Sequence, residues 1–115
     1  MQGEPVGLTC PSLTSNLVKM GDDWLAANVP TILASAAFQN GMLFIVWDQG
    51  GGTLTASDGP IGLIALSPTA RPGYASTVSF THSSLLRTVE TIFGVPLLRD
   101  AQLATDLRDL FSTFP

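Results

Sequence analysis

The sequence is short of charge, of cysteine and of histidine, and each shortage excludes something. Asp, Glu, Lys and Arg make up 12% of the 115 residues, about half the share of an ordinary globular chain. So little charge beside 45% apolar residues excludes a disordered chain, which stays open through low hydrophobicity and high charge. Five basic residues against nine acidic ones leave a net charge of −4. That balance argues against a phosphate-backbone binder, so no nucleic acid partner is expected. The lone Cys10 permits neither an internal disulfide nor a zinc knuckle, and with no basic neighbours it is a poor nucleophile. No apolar run approaches the roughly 18 residues of a membrane-spanning helix. The start, Met1 to Pro5, lacks the basic-then-apolar order of a signal peptide, so the chain as written is expected in the cytoplasm. A second reading takes Met1 as an internal start within a longer gene product. His-Glu-x-x-His, Gly-x-Ser-x-Gly and paired-Cys patterns are all absent. Gly50-Gly51-Gly52 is not a P-loop, because no Gly-Lys-Ser/Thr follows it.

What is present reads as one α/β unit. Residues 1–20 are turn-rich and predict an irregular entry segment, with the domain proper running over 21–115. Asp22 and Asp23 offer a helix N-cap ahead of Trp24, Leu25, Val29, Ile32 and Leu33 at helical spacing. Pro30 inside that pattern predicts a kink or a break into two short helices. Residues 42–47 and 61–66 are continuous apolar runs, the pattern of strands buried on both faces. Val78 to Phe80 reads as a short extended piece. Thr81 or Ser83 can cap a helix whose Leu85, Leu86, Val89, Ile92 and Phe93 share one face, with Gly94 as the residue that ends it. A last helix is expected over about 101–111, presenting Leu103, Leu107, Leu110 and Phe111. Strands alternating with helices predict a small parallel or mixed sheet with flanking helices.

Few residues can carry chemistry. In an open α/β sheet, ligands gather outside the carboxyl ends of the strands. Asp48 and Gln49 stand at that end of the first run, followed by Gly50, so a metal or phosphate site is one reading. A strand-ending Asp in a glycine turn is the other. His82, the one histidine, is a metal ligand or a capping residue. Asp22 caps a helix or neighbours the site, and Arg71 faces a phosphate or sits in a solvated loop.

Three stretches then carry a resemblance. Gly21-Asp22-Asp23-Trp24-Leu25, continuing through Val29-Pro30-Thr31-Ile32-Leu33-Ala34-Ser35, is similar to a "GD-x-WL … VP-x-IL-x-S" helix. Leu43 to Gly50 resembles an "LFITWDEG" strand. Ser67-Pro68 to Gly73, then Thr81-His82-Ser83-Ser84-Leu85-Leu86-Arg87-Thr88-Val89-Glu90, resembles "SP…A-x-PG … HxSLLRTxE". Together they identify the chain, over about residues 11–111, as similar to the C-terminal part of the bacterial phosphoesterase family of acid phosphatases and phospholipases C. That family belongs to the alkaline-phosphatase-like superfamily.

The resemblance implies hydrolysis of phosphoric esters at a metal-supported site, where a Ser or Thr takes the phosphoryl group. It implies Asp48 and His82 as metal ligands, with Gln49, Gly50 and Asp22 as site neighbours. The metal would be a divalent ion, zinc first, with manganese and calcium as alternatives. The departures count too. Gln49 replaces the second acidic residue, Val18 stands where an "ND-x-HD" element has its histidine, and the family's nucleophile lies upstream of these stretches. Two readings follow: a phosphoesterase portion that acts on a phosphate ester once joined to its nucleophile half, or a non-catalytic structural or binding remnant whose metal site is degraded. The two apolar runs also predict self-association or pairing with a missing N-terminal portion.

Overall fold

The computed structural model describes residues 16–50 and 60–114. Most of the expected entry segment, Cys10, and Gly51 and Gly52 lie outside the described residues. The described part divides between Phe38 and Gln39 into two compact units.

The first unit holds helix α1, Leu17–Leu33. It begins before the expected Asp22, because Asn16 is the cap: its side-chain oxygen accepts from the N–H groups of Val18 (3.1 Å) and Lys19 (3.3 Å), satisfying donors that a helix start otherwise leaves open. Residues 17–20 are therefore helical rather than part of an irregular entry. Asp23 pairs with Lys19 one turn earlier, at 2.7 Å. Pro30 does not split the element. It lies in the last turn, where its missing N–H removes one bond, and its own carbonyl still accepts from Ala34 N at 3.0 Å. Trp24 and Ile32 of the expected apolar face stay exposed, and no residue of α1 is fully buried.

The second unit is built on two strands, β1 (Leu43–Val46) and β2 (Leu63–Leu66), and on helix α2 (His82–Phe93). The strands pair antiparallel, Leu43 opposite Leu66 and Val46 opposite Leu63, where a parallel or mixed sheet is the sequence expectation. Continuous apolar runs do not separate the two cases. They report only that both faces are apolar, whichever way the neighbour runs. Trp47 N–H extends the ladder to Gly62 O at 3.0 Å. A Cβ on Gly62 would stand 2.5 Å from two ring carbons of Trp47, so the indole lies flat where only a glycine leaves room for it.

Phe44, Val46, Leu63 and Ala65 share one face of this pair. The C-terminal segment covers that face: the Phe111 ring meets Phe44 edge-on, with centroids 6.3 Å apart. Phe111 also bridges to Ala70, and Arg71 N–H and Ser112 N–H close the flanking bonds to Leu110 O (2.9 Å) and Thr69 O (2.8 Å).

Helix α2 starts at Thr81, whose N–H donates to Ser84 Oγ at 3.0 Å, half of a capping box. It ends in a Schellman motif. Gly94 takes φ +62°, Gly94 N–H donates to Thr91 O, and Val95 N–H reaches back to Glu90 O at 3.0 Å. The buried stripe is not the apolar one. Ser84, Thr88 and Glu90 are buried, whereas Leu86, Val89 and Phe93 are exposed, Phe93 by 75%.

The C-terminal segment is tied to α2 by hydrogen bonds at Thr88 and Arg87. It is not the expected helix over 101–111 but two 3-10 turns, Arg99–Gln102 and Leu107–Leu110. Asp106 accepts from Arg108 N–H (3.1 Å) and chelates the Arg108 guanidinium. Leu107 N–H donates sideways to Thr88 Oγ1 at 2.9 Å instead of back along a helix. A short side chain that bonds the local backbone in this way competes with helix continuation. Arg87 Nη1 takes the carbonyls of Ala101 and Gln102 at 3.0 and 2.9 Å. Ala101, Leu107 and Phe111 form the buried apolar core, while Leu103, expected to be inside, is 90% exposed.

Candidate active site

The two expected ligand residues come together through the Asp48 backbone. Asp48 follows the end of β1 and His82 opens α2, and His82 Nε2 lies 2.8 Å from the backbone oxygen of Asp48. A carbonyl oxygen only accepts, so Nε2 carries a proton, and in the neutral ring Nδ1 keeps the lone pair. A metal-binding histidine is commonly oriented in this way, by donating its second ring N–H to a backbone carbonyl. The Asp48 carboxylate accepts from Gln49 N–H through Oδ1 at 2.9 Å, which leaves Oδ2 as its second acceptor. Asp48, His82 and Gln49 are exposed and Gly50 is half-buried. Asp22 belongs to the other unit, on α1.

The donor chemistry fits a divalent metal, but its number falls short. Among the described residues no group of three or more His, Cys, Asp or Glu side chains gathers, whereas a zinc site takes at least three protein ligands. Asp48 and His82 thus offer two donor residues, fewer than a zinc site takes.

His82 also lines a hollow of about 380 Å³. Its lining is mixed: Val46 and Leu63 from the strands, Leu85 from α2 and Leu110 from the second 3-10 turn are apolar, and Thr81 is polar. Its far wall is the segment from Tyr74 to Phe80. Sequence reasoning missed what holds that wall. Asp109 Oδ2 accepts from the hydroxyls of Tyr74 (2.9 Å) and Ser76 (2.5 Å). Arg71, a candidate phosphate contact by sequence, instead lies 4.0 Å from Asp109, donates through Nε to Phe111 O at 3.2 Å, and covers the Tyr74 ring. These residues are more than 30 positions apart, and no local spacing signals that they meet.

The hydroxyls of Ser76 and then Tyr74 hold the Asp109 carboxyl below the usual carboxylate range, with the Arg71 charge adding to the effect. A carboxyl depressed in the folded chain stabilises it above the unfolded pKa, near 3.9, and that support is lost as pH falls through the lower folded value. Thermal melts at pH 7 and pH 3 should therefore show a larger acid-induced loss in the native chain than in Asp109→Asn. Parallel losses in the two proteins would contradict the assignment.

The sequence model of the Phosphoesterase family matches residues 14–96, a stretch that contains Asp48, His82 and both motif loops around them. A curated relative, a phosphatidylinositol-3-phosphatase of Mycobacterium tuberculosis, is 30% identical over 95 residues. The alignment takes in 82% of this chain but 30% of that protein, so the chain spans under a third of its relative's length. No solved structure matches the chain significantly. The family match covers well over half the residues, and it includes the two loops that the His82–Asp48 hydrogen bond ties together. By that match the chain is a member of the Phosphoesterase family.

Proposed function

We propose that this chain is the C-terminal portion of a phosphoric ester hydrolase with an alkaline-phosphatase-like fold, and that it brings Asp48 and His82 to a divalent metal site. The observation that carries the reading is the His82–Asp48 contact, which joins two separate stretches inside the family match. Bound there, a divalent metal would supply charge for the phosphoryl oxygens. The residues of this chain would orient it: His82 through Nδ1, with Nε2–H held by the Asp48 carbonyl, and Asp48 through its free carboxylate oxygen. The attacking nucleophile comes from outside the matched region. The exposed stripe of Leu86, Val89 and Phe93 on α2 supports pairing with the remainder of such a domain. Gln49, which lacks the charge of the family's second acidic residue, favours the other reading, a non-catalytic remnant with a degraded metal site.

Zinc titration followed by calorimetry separates the two. With Asp48 and His82 as ligands, Asp48→Asn and His82→Ala each weaken zinc binding at least tenfold, and p-nitrophenyl phosphate is turned over at background rate. Zinc affinity unchanged in both variants favours the remnant. Robust metal-dependent turnover that disappears in Asp48→Ala shows instead that a hydroxyl of this chain serves as the nucleophile.

A further inference from the structure

The Asn40-Gly41 pair has no part in the metal or phosphate readings, and the fold sets it apart from the other asparagines of the chain. We propose that Asn40 is a site of spontaneous succinimide formation, through which the native chain acquires an aspartate or isoaspartate at the entry to β1. The proposal stands independently of the hydrolase reading.

The neighbouring residue fixes the chemistry. The Gly41 backbone nitrogen attacks Asn40 Cγ and a C–N bond forms. The Asn40 side-chain nitrogen leaves as ammonia, taking up the proton of the Gly41 amide. Water then opens the ring at either carbonyl, giving aspartate or, with the main chain rerouted through the side chain, isoaspartate. The balance is asparagine plus water to acid plus ammonia, with no oxidant and no cofactor. The attack needs a backbone free to turn and a nitrogen that no side chain crowds, and a glycine meets both needs.

The sequence holds three asparagines, Asn16, Asn28 and Asn40. Asn16 caps α1, its Oδ1 accepting from the N–H groups of Val18 and Lys19, and Leu17 follows it. Asn28 lies within α1 and donates through Nδ2 to Trp24 O at 2.8 Å. It precedes Val29, whose branched side chain crowds its own nitrogen and whose N–H is committed to the helix. Asn40 differs on each count. It is exposed, it ends the 3-10 turn Ala36–Asn40, and Gly41 and Met42 after it belong to neither helix nor strand. Exposure also admits the water that opens the ring.

The place gives the modification a structural consequence. Leu43, three residues on, begins β1 and pairs with Leu66. An isoaspartate adds a methylene to the main chain just ahead of that pair. Either product also makes the net charge one unit more negative than −4.

The test incubates the full chain at mildly alkaline pH and maps its peptides by mass spectrometry at intervals. The expected result is the mass gain of amide-to-acid conversion at Asn40, about tenfold or more faster than at Asn16 or Asn28, whose helix must open first. Methyl transfer from S-adenosylmethionine by an isoaspartyl methyltransferase should label the same peptide. Asp58-Gly59, outside the described residues, forms the same ring without a mass gain, so the label is assigned peptide by peptide. Gly41→Ala should slow the conversion about tenfold or more, and Asn40→Gln should abolish both signals, with amide dispersion native in each. Asn16 or Asn28 converting as fast as Asn40 overturns the proposal. So does an Asn40 rate that rises about tenfold or more in urea, which would show that the fold protects the site. Conversion at the native rate in Gly41→Ala, or a converted Asn40 peptide that takes no methyl label, shows direct hydrolysis in place of the ring and overturns it as well.

Discussion

Leu107→Ala is expected to destabilise the second unit by about 2–5 kcal/mol, the range for truncating a fully buried leucine. Leu107 has no exposed surface and sits where the second 3-10 turn meets α2. Its neighbours there are fixed by hydrogen bonds rather than free to collapse: Leu107 N–H is held by Thr88, and Asp106 just before it is held by Arg108. Little relaxation can fill the space, which places the cost toward the upper end. Against a total of about 5–15 kcal/mol for a natural domain, such a loss leaves the unit marginal. Urea denaturation of the variant checks this. A midpoint shift equivalent to less than 1 kcal/mol would mean that the site collapses freely and that the buried core lies elsewhere.

The second large effect is polar. Thr88→Val keeps the shape of a side chain with no exposed surface but removes its hydroxyl. That hydroxyl donates to Ser84 O at 2.7 Å and accepts from Leu107 N–H at 2.9 Å. Ser84 O still accepts along the helix, so its loss is small. Leu107 N–H becomes a buried donor without a partner, which costs about 1–3 kcal/mol. Thr88→Ser keeps the hydroxyl and should recover most of that stability at the cost of one methyl group. Thermal melts of the pair give the sign. A valine variant as stable as the native chain, with the serine variant weaker, would show that the methyl contact matters and the hydrogen bond does not. The two changes share one contact, so their effects should not add.

The sequence made the local signals legible and left the long-range ones hidden. The Thr81 start of α2 and its Gly94 end can be read from neighbouring residues, because caps are local chemistry. The two strands can be read from their apolar runs, but their relative direction cannot. At α2 the apolar periodicity is only partly a guide: of the face it picks, Leu85 and Ile92 are half-buried but Leu86, Val89 and Phe93 are exposed, whereas Ser84 and Thr88 are buried. Thr88 is satisfied by Leu107, 19 residues away, and Ser84 by the N–H of Thr81, and a hydrophobic pattern carries no record of such partners. The C-terminal helix fails for a related reason, since Asp106 caps the N–H of Arg108 and starts a separate short turn where Leu103 and Leu107 suggest one continuous helix.

Within the candidate site, Asp48 and His82 stand out in the sequence as single candidates, each with an ordinary turn or capping reading beside it, and only the resemblance to a family pairs them. Their contact runs through the Asp48 backbone, which no side-chain motif encodes. The Asp109 clamp and the hollow beside it are tertiary products, assembled from segments that look like ordinary loops.

The flat seating of Trp47 on Gly62 ties the two positions into one unit of inheritance. While an indole occupies position 47 in this seating, any side chain at position 62 would meet the ring at 2.5 Å and force it to move. A small residue at 47 would lift that restriction. The freedom of position 62 to vary is therefore set by the residue directly across the ladder, and a lineage that loses the tryptophan first can explore replacements that cost packing in the reverse order.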